Sequence, residues 1–302
     1  MTSLPARAIS GTAFATLLLI ALMMGANHVA ARIAFNNGVD VATAVVFRST
    51  VTALVIIALL ASQGVRVAFT ARHKRMLPAI GLLIGVQSLC LYSAVARLPV
   101  ALALLAFNTY PIWTAFWSWA VYSHKVEKPL LLAMPVILVG LALALDVFGA
   151  ASGLGAQGQW ARIGAGVAFA LAAAATFGLA LVVTQHEAGD VDGRVRTATT
   201  MVIAGLVALT MVVSQGGFHL PTAPAGWGGL ATLTLLYGTA FTIMFTVLPR
   251  LGVVGNSAIM NVEPVFALIL AWLVLGQTVA PIQIVGALIV VGAVMVLGMR
   301  KR

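Results

Sequence analysis

Long apolar runs, separated by short polar breaks, set the narrowest limit on what this chain can become. Each run approaches the roughly 20 residues that an α-helix needs to cross a hydrocarbon core of about 30 Å. Of the 302 residues, 62% are hydrophobic and only 8% are charged. An ordinary soluble domain carries about 25% charged residues, so polar groups cannot cover this surface in water. The runs do not alternate residue by residue, which argues against a transmembrane barrel. In hydrocarbon every backbone N–H and C=O needs a partner within its own element, and that leaves helices. The expectation is an all-α polytopic membrane protein with ten transmembrane helices. They fall near 11–35, 42–62, 76–96, 99–121, 129–148, 160–185, 196–215, 226–248, 253–275 and 279–299.

The placement of charge orients these spans. With the N-terminus in the cytoplasm, 13 of the 17 Lys and Arg residues lie in cytoplasmic segments, among them Arg66, Arg72, Lys74, Arg75, Arg194, Arg196 and Arg250. Arg32, Arg97 and Arg162 fall outside, and Arg48 lies within the second span. Basic residues favour the cytoplasmic side, so both termini are expected to be cytoplasmic. The net charge of +10 is thereby read as a topology signal, and no nucleic-acid partner is expected. Trp160 and Trp227 open the sixth and eighth spans on the outer side, where an interfacial aromatic belt belongs. The first run is read as a span and not a cleaved leader, because the repeat described next needs ten spans. Cys90 is the only cysteine and lies in an apolar run, so no internal disulfide can form.

Two segments of the chain match each other. Arg97, Leu98, Asn108, Pro111 and Trp119 correspond to Arg250, Leu251, Asn261, Pro264 and Trp272, all at one offset of 153 residues. Gly25 and Gly85 correspond to Gly178 and Gly238 at the same offset, and Pro129 and Gly140 to Pro281 and Gly292 after a slip of one residue. The repeat unit holds five spans. Five is odd, so the second copy is expected to lie inverted in the bilayer. Residues 1–150 form one five-helix repeat and residues 151–302 the other, within one compact membrane domain. Inverted repeats place a substrate site near the bilayer midplane and permit alternating access.

Several residues stand out against that background. Pro111 and Pro264 fall near mid-membrane, where each would kink its helix and free a carbonyl one turn back; Asn108 and Asn261 are placed to satisfy it. These prolines are candidate hinges. Glu263 is costly in hydrocarbon, by ~2.5 kcal/mol or more, so it should face a cavity, pair with a cation or carry a proton. Tyr110 stands at its position in the first repeat. In the first span Met24 and His28 share a helical stripe with Arg32, and Asn27 lies beside it. Histidine is the side-chain type whose ordinary pKa lies near neutral pH, so His28 and Glu263 are the candidates for proton coupling. Arg32 reads as an interface anchor. Arg48 either holds an anionic group such as a carboxylate or snorkels outward. Gln87, Tyr92, Trp113, Tyr237 and Phe241 complete the candidate cavity lining. Gly140 and Ala144, four residues apart, suit a close helix contact. No H-E-x-x-H, G-x-S-x-G or G-x-x-x-x-G-K-[ST] pattern occurs, so neither catalysis, a bound metal or cofactor, nor nucleotide-driven transport is expected.

The stretches "GANHVAAR" in the first span, Arg48 in the second, "AVARL" from Ala94, "VEPVFALILAWLVLGQ" in the ninth and "IQIVGALIVVGAVMVL" in the last carry a family resemblance. Together they resemble the drug/metabolite transporter superfamily, EamA branch, over essentially the whole chain. One departure is Gln277, where that branch commonly has Glu, so no role of that acid carries over. Within the branch the chain looks most like an aromatic amino acid exporter. The resemblance implies secondary export of aromatic or other hydrophobic amino acids across a bacterial inner membrane. Other small metabolites or cationic drugs are the alternative substrates on the same scaffold, and a non-transporting receptor is the further alternative. The sequence does not fix the coupling ion or the oligomeric state.

Overall fold

The computed structural model describes residues 11–65, 67–124, 128–247 and 261–299. Arg250 and Leu251 of the repeat match and residues 253–260 of the ninth expected span lie outside these residues, as do Arg7, Arg66, Lys125 and the last three basic residues. All regular structure among the described residues is helical. The helices are α1 (Gly11–Asn36), α2 (Val41–Ser62), α3 (Ala71–Arg97), α4 (Val100–Phe107), α5 (Tyr110–Tyr122), α6 (Lys128–Ala144), α7 (Gly155–Glu187), α8 (Gly193–Ser214), α9 (Pro224–Thr246), α10 (Glu263–Leu275) and α11 (Pro281–Met299). Seven stretches are long and apolar enough to cross a membrane, with α4 and α5 together making one of them. Leu131–Ala144, Glu263–Leu275 and Pro281–Val296 are shorter apolar helices.

The fourth span differs from expectation in being broken, not kinked. α4 stops at Phe107, and α5 starts at Tyr110 with Pro111 in its first turn. There the missing N–H of proline removes nothing, because the first four N–H groups of a helix have no partner within it. The Thr109 hydroxyl donates to the Ala106 carbonyl at 2.8 Å and so takes up an acceptor at the end of α4. Pro264 sits likewise in the first turn of α10. Each of these helices ends on a left-handed residue, Ser123 (φ 55°) after α5 and Gly276 (φ 63°) after α10. The two positions are 153 apart, the repeat offset read from the sequence.

Helix ends are tied together on two faces. On one face Thr222 N–H donates to the Asn37 carbonyl at 2.9 Å and His219 N–H to the Thr43 hydroxyl at 3.1 Å. On the other, Arg194 bonds Gln63, Arg72 and His73 reach Asp190, and the Tyr122 hydroxyl donates to Glu187 at 3.0 Å. Asp40 accepts from Thr43 N–H and starts α2; Thr70 and His73 form a reciprocal cap that starts α3.

The principal packings are α1 on α9 and α10, α2 on α8 and α9, α3 on α7 and α8, α5 on α7, α4 on α10, and α6 on α11. Small residues set how closely these pairs approach. A Cβ on Gly25 would meet the backbone nitrogen of Ala267 at 3.0 Å, and one on Gly178 that of Thr114 at 2.8 Å. The expected close contact at Gly140 is present, against Gly286 and Ile289 of α11. Outward faces carry exposed Leu54, Leu132, Val213, Leu235, Trp272 and Leu273, which suits a surface in lipid. Trp160 and Trp227 are about half exposed near the starts of α7 and α9.

Candidate functional site

The close approach at Gly25 brings α1 and the start of α10 together. One turn along α1, His28 Nε2 lies 3.3 Å from Glu263 Oε1. His28 is buried, and the Glu263 side chain keeps 23% of its exposure. Glu263 is the first residue of α10, where unpaired N–H groups and the helix dipole favour a negative charge by about 0.3–1 kcal/mol. That accounts for an acid directly before Pro264 in an apolar run: both residue types suit the first turn of a helix.

Tyr92 of α3 gathers the next group. Its hydroxyl donates to Asn27 Oδ1 at 3.0 Å and accepts from Arg48 Nη1 at 3.4 Å. The His28 ring stands edge-on to the Tyr92 ring at 5.6 Å. Arg48 does not snorkel. It is 4% exposed, with its guanidinium 4.5 Å from the Tyr92 ring centre and 4.1 Å from that of Tyr237. A desolvated cation over an aromatic face gains about 2 kcal/mol, against an insertion cost of ~2.5–3.5 kcal/mol at mid-membrane. Tyr237 also packs on Phe241 at 4.5 Å, and its hydroxyl lies 3.8 Å from Met201 Sδ; Met24 packs against the same group.

A second aromatic group surrounds the break in the fourth span. The Tyr110 hydroxyl donates to Asn261 Oδ1 at 3.3 Å, which ties the two N-x-x-P segments to each other. The Tyr110, Phe107 and Phe177 rings pack together with centres 5.2–5.7 Å apart. Asn108 is buried with its Nδ2 unpartnered. The structure thus joins Met24, Asn27, His28, Tyr92, Tyr237, Phe241 and Glu263 in one group, and Tyr110 with Asn261 in another. Gln87 accepts from Ser88, and Trp113 packs against Gly178 and Phe116; no hydrogen bond or ring contact joins either to the Tyr92 group.

Three residues take roles that the sequence did not assign. Arg32 donates to the carbonyls of Val95 and Leu98 at 2.6 and 3.2 Å and so closes the end of α3. Gln277, the departure from the family pattern, accepts from Val100 N–H at 3.1 Å and caps the start of α4. Phe177 had no signal beyond being an aromatic residue in an apolar run. Buried Asn27 Nδ2, His28 Nδ1, Arg48 Nε, Ser49 Oγ and Thr52 Oγ1 have no hydrogen-bond partner. Buried polar groups are mostly paired, so this concentration of unpartnered groups on α1 and α2, with Ser49 toward Gly205 of α8 and Thr52 toward Gly238 of α9, is a candidate place for polar ligands. Two mainly apolar grooves flank these helices. One is lined by Leu105, Pro264, Leu268 and Ile284, the other by Val46, Leu54, Val202 and Leu206.

The sequence profile of the EamA-like transporter family matches residues 11–145 and matches again over residues 164–299. This chain belongs to the EamA-like transporter family. The two matches to the EamA profile start 153 residues apart, at 11 and 164, which is the internal offset of the N-x-x-P segments. The threonine/homoserine exporter RhtA of Salmonella typhimurium strain SL1344 is 23% identical over 240 residues, covering 76% of this chain and 73% of that protein. RhtA of strain LT2 aligns with the same values. A solved crystal structure at 17% identity superposes with a TM-score of 0.63, over 97% of this chain and 99% of the other, and so shares the fold. As an EamA transporter with apolar spans throughout, the protein is a multi-pass membrane transporter of small molecules.

Proposed function

We propose that this protein exports aromatic and other hydrophobic amino acids from the bacterial cytoplasm by alternating access. It lies in the inner membrane with both termini cytoplasmic, and residues 1–150 and 151–302 are its two inverted halves. The carrying observation is the His28–Glu263 contact, which joins the two halves beside the Tyr92 ring; Tyr92 and Tyr237 in turn both face Arg48. Glu263 supplies a contact for a substrate ammonium group, and the rings supply the apolar wall. The resemblance to the aromatic amino acid exporter YddG points the same way, and RhtA extends amino acid export to a distant relative.

The inverted-repeat reading has its own support. Exchanging the halves turns the α1–α9 packing into α7–α3, α1–α10 into α7–α5, and α2–α9 into α8–α3, while α2–α8 and α6–α11 map onto themselves. The close approaches at Gly25 and Gly178 exchange in the same way.

Aromatic walls favour large side chains over the small polar substrates in RhtA's name. In proteoliposomes holding labelled phenylalanine, a competition panel of the twenty amino acids is expected to show inhibition by Phe, Tyr and Trp and little by Thr or homoserine. Competition by small polar amino acids alone would reject the aromatic assignment. Glu263 next to aromatic rings also fits a cationic drug, so an aromatic cation belongs in the panel as the second reading. Running the assay with and without a pH gradient separates proton exchange from facilitated diffusion.

A further inference from the structure

We propose that Arg48 is the anchor for a substrate carboxylate, so that the site recognises a free α-carboxylate and not merely a cation with an aromatic group. The inference deepens the amino acid reading and rests on it for the ammonium end of the ligand. Arg48 lies about 10 Å along α2 from its start, too deep and too enclosed to reach an interface. Among the described residues no carboxylate lies within ion-pair distance of it. A buried guanidinium with five N–H donors and no acid beside it has spare capacity for the two oxygens of a carboxylate.

Its surroundings hold it ready for such a partner. The rings of Tyr92 and Tyr237 lie 4.5 and 4.1 Å from the guanidinium and fix its plane. Tyr92 takes one Nη1 hydrogen, while Nε is unpartnered. Asn27 turns its oxygen to Tyr92, which leaves its Nδ2 donor unpartnered as well. One turn along α2, the buried Thr52 hydroxyl is a further unpartnered group. The guanidinium and amide groups are donors and the Thr52 hydroxyl is able to donate, so the set suits an anion. Glu263 stands across Tyr92 and His28 from this group, and opposite charges at the two ends of one site match a zwitterion. The positive end of the ligand faces Glu263 and the negative end faces Arg48. A role confined to packing α2 against α3 and α9 would use the rings but would leave the unpartnered donors without purpose.

The test uses the full-length purified protein and four probes: phenylalanine, its methyl ester, phenethylamine and 3-phenylpropanoate. Wild type is expected to bind phenylalanine about tenfold or more tighter than the ester and the amine. Arg48→Gln should weaken phenylalanine and 3-phenylpropanoate by about 10- to 100-fold and leave the ester and amine where they were. Retention of the wild-type preference in Arg48→Gln overturns the proposal, as does an equal loss for all four probes. Should Arg48→Gln fail to fold by size exclusion and thermal melting, Arg48→Lys carries the test. It keeps the charge without the two-pronged geometry, so phenylalanine and 3-phenylpropanoate should weaken while phenethylamine does not. Binding of 3-phenylpropanoate but not phenylalanine, lost in the variant, upholds the carboxylate anchor and rejects the amino acid reading. Preference of wild type for phenethylamine rejects the anchor and favours a cation transporter; binding of none of the four rejects both.

Discussion

Glu263 has an exposed edge, a histidine at 3.3 Å and the first turn of a helix behind it. These features let it hold a negative charge in a setting where a bare carboxylate is costly. Glu263→Gln keeps the shape and removes the charge. Counterflow of the proposed amino acid substrate is expected to fall by about tenfold or more, since a charge-assisted hydrogen bond contributes about 1.5–3 kcal/mol. If a proton travels through the His28–Glu263 contact, the same variant also loses the dependence of flux on a pH gradient; unchanged flux and pH profile would remove both roles. A second acid matters at a loop. Asp190's own backbone N–H, then His73 and Arg72, hold its carboxyl below the usual carboxylate range against an opposing effect of desolvation. A depressed folded pKa contributes stability above the unfolded pKa of about 3.9 and loses it as pH falls through the folded value. The melting-temperature gap between wild type and Asp190→Asn should therefore be present at neutral pH and close in acid below that range. A gap that persists there would mean the contribution is not ionic.

At the scale of elements, the informative sequence signals were those tied to backbone chemistry. N-x-x-P at a fixed offset marked Pro111 and Pro264 as places where a helix cannot run on unchanged. The sequence did not distinguish a kink from a fresh start, because that depends on whether the preceding turn keeps helical geometry. The break at Asn108 and Thr109 decides it for the fourth span. Pro111→Ala should then cost under about 1 kcal/mol of stability, since no helix interior is repaired, and a larger gain would show that the break is imposed by the proline. The paired glycines give a sharper test. Gly178→Ala places a Cβ 2.8 Å from the Thr114 nitrogen and should lower stability by about 1–3 kcal/mol. Gly292→Ala, where a Cβ meets nothing within 4 Å, should be neutral or slightly stabilising. Thermal melting in one detergent compares the two directly.

For the whole molecule, the two tied faces fix which loops travel together. His219 with Thr43 and Asn37 with Thr222 share one face; Asp190 with His73 and Gln63 with Arg194 share the other. In a Cys90→Ala background, His219→Cys is expected to react with an impermeant thiol reagent added to intact cells, and Asp190→Cys only after permeabilisation. Labelling of both from outside would break the proposed topology. The basic bias of the loops carried that orientation in the sequence, because translocating Lys and Arg is unfavourable whatever the fold.

The all-helical apolar character, the family and the doubled unit were legible in the linear chain, since each follows from local length, hydropathy or periodic recurrence, whereas seven stretches among the described residues, not ten, are long enough to span. His28, Glu263 and Tyr92 were visible as polar or aromatic residues out of place in hydrocarbon. Which of them meet was decided only in three dimensions, where α1, α2, α3, α9 and α10 converge. Gln87 and Trp113 carry the same chemistry, yet packing set them apart from that group. Arg48 shows the division most clearly. Its position in a span announced an unusual cation, but only the rings of Tyr92 and Tyr237, brought from helices 44 and 189 residues away in number, hold it buried instead of letting it reach for water.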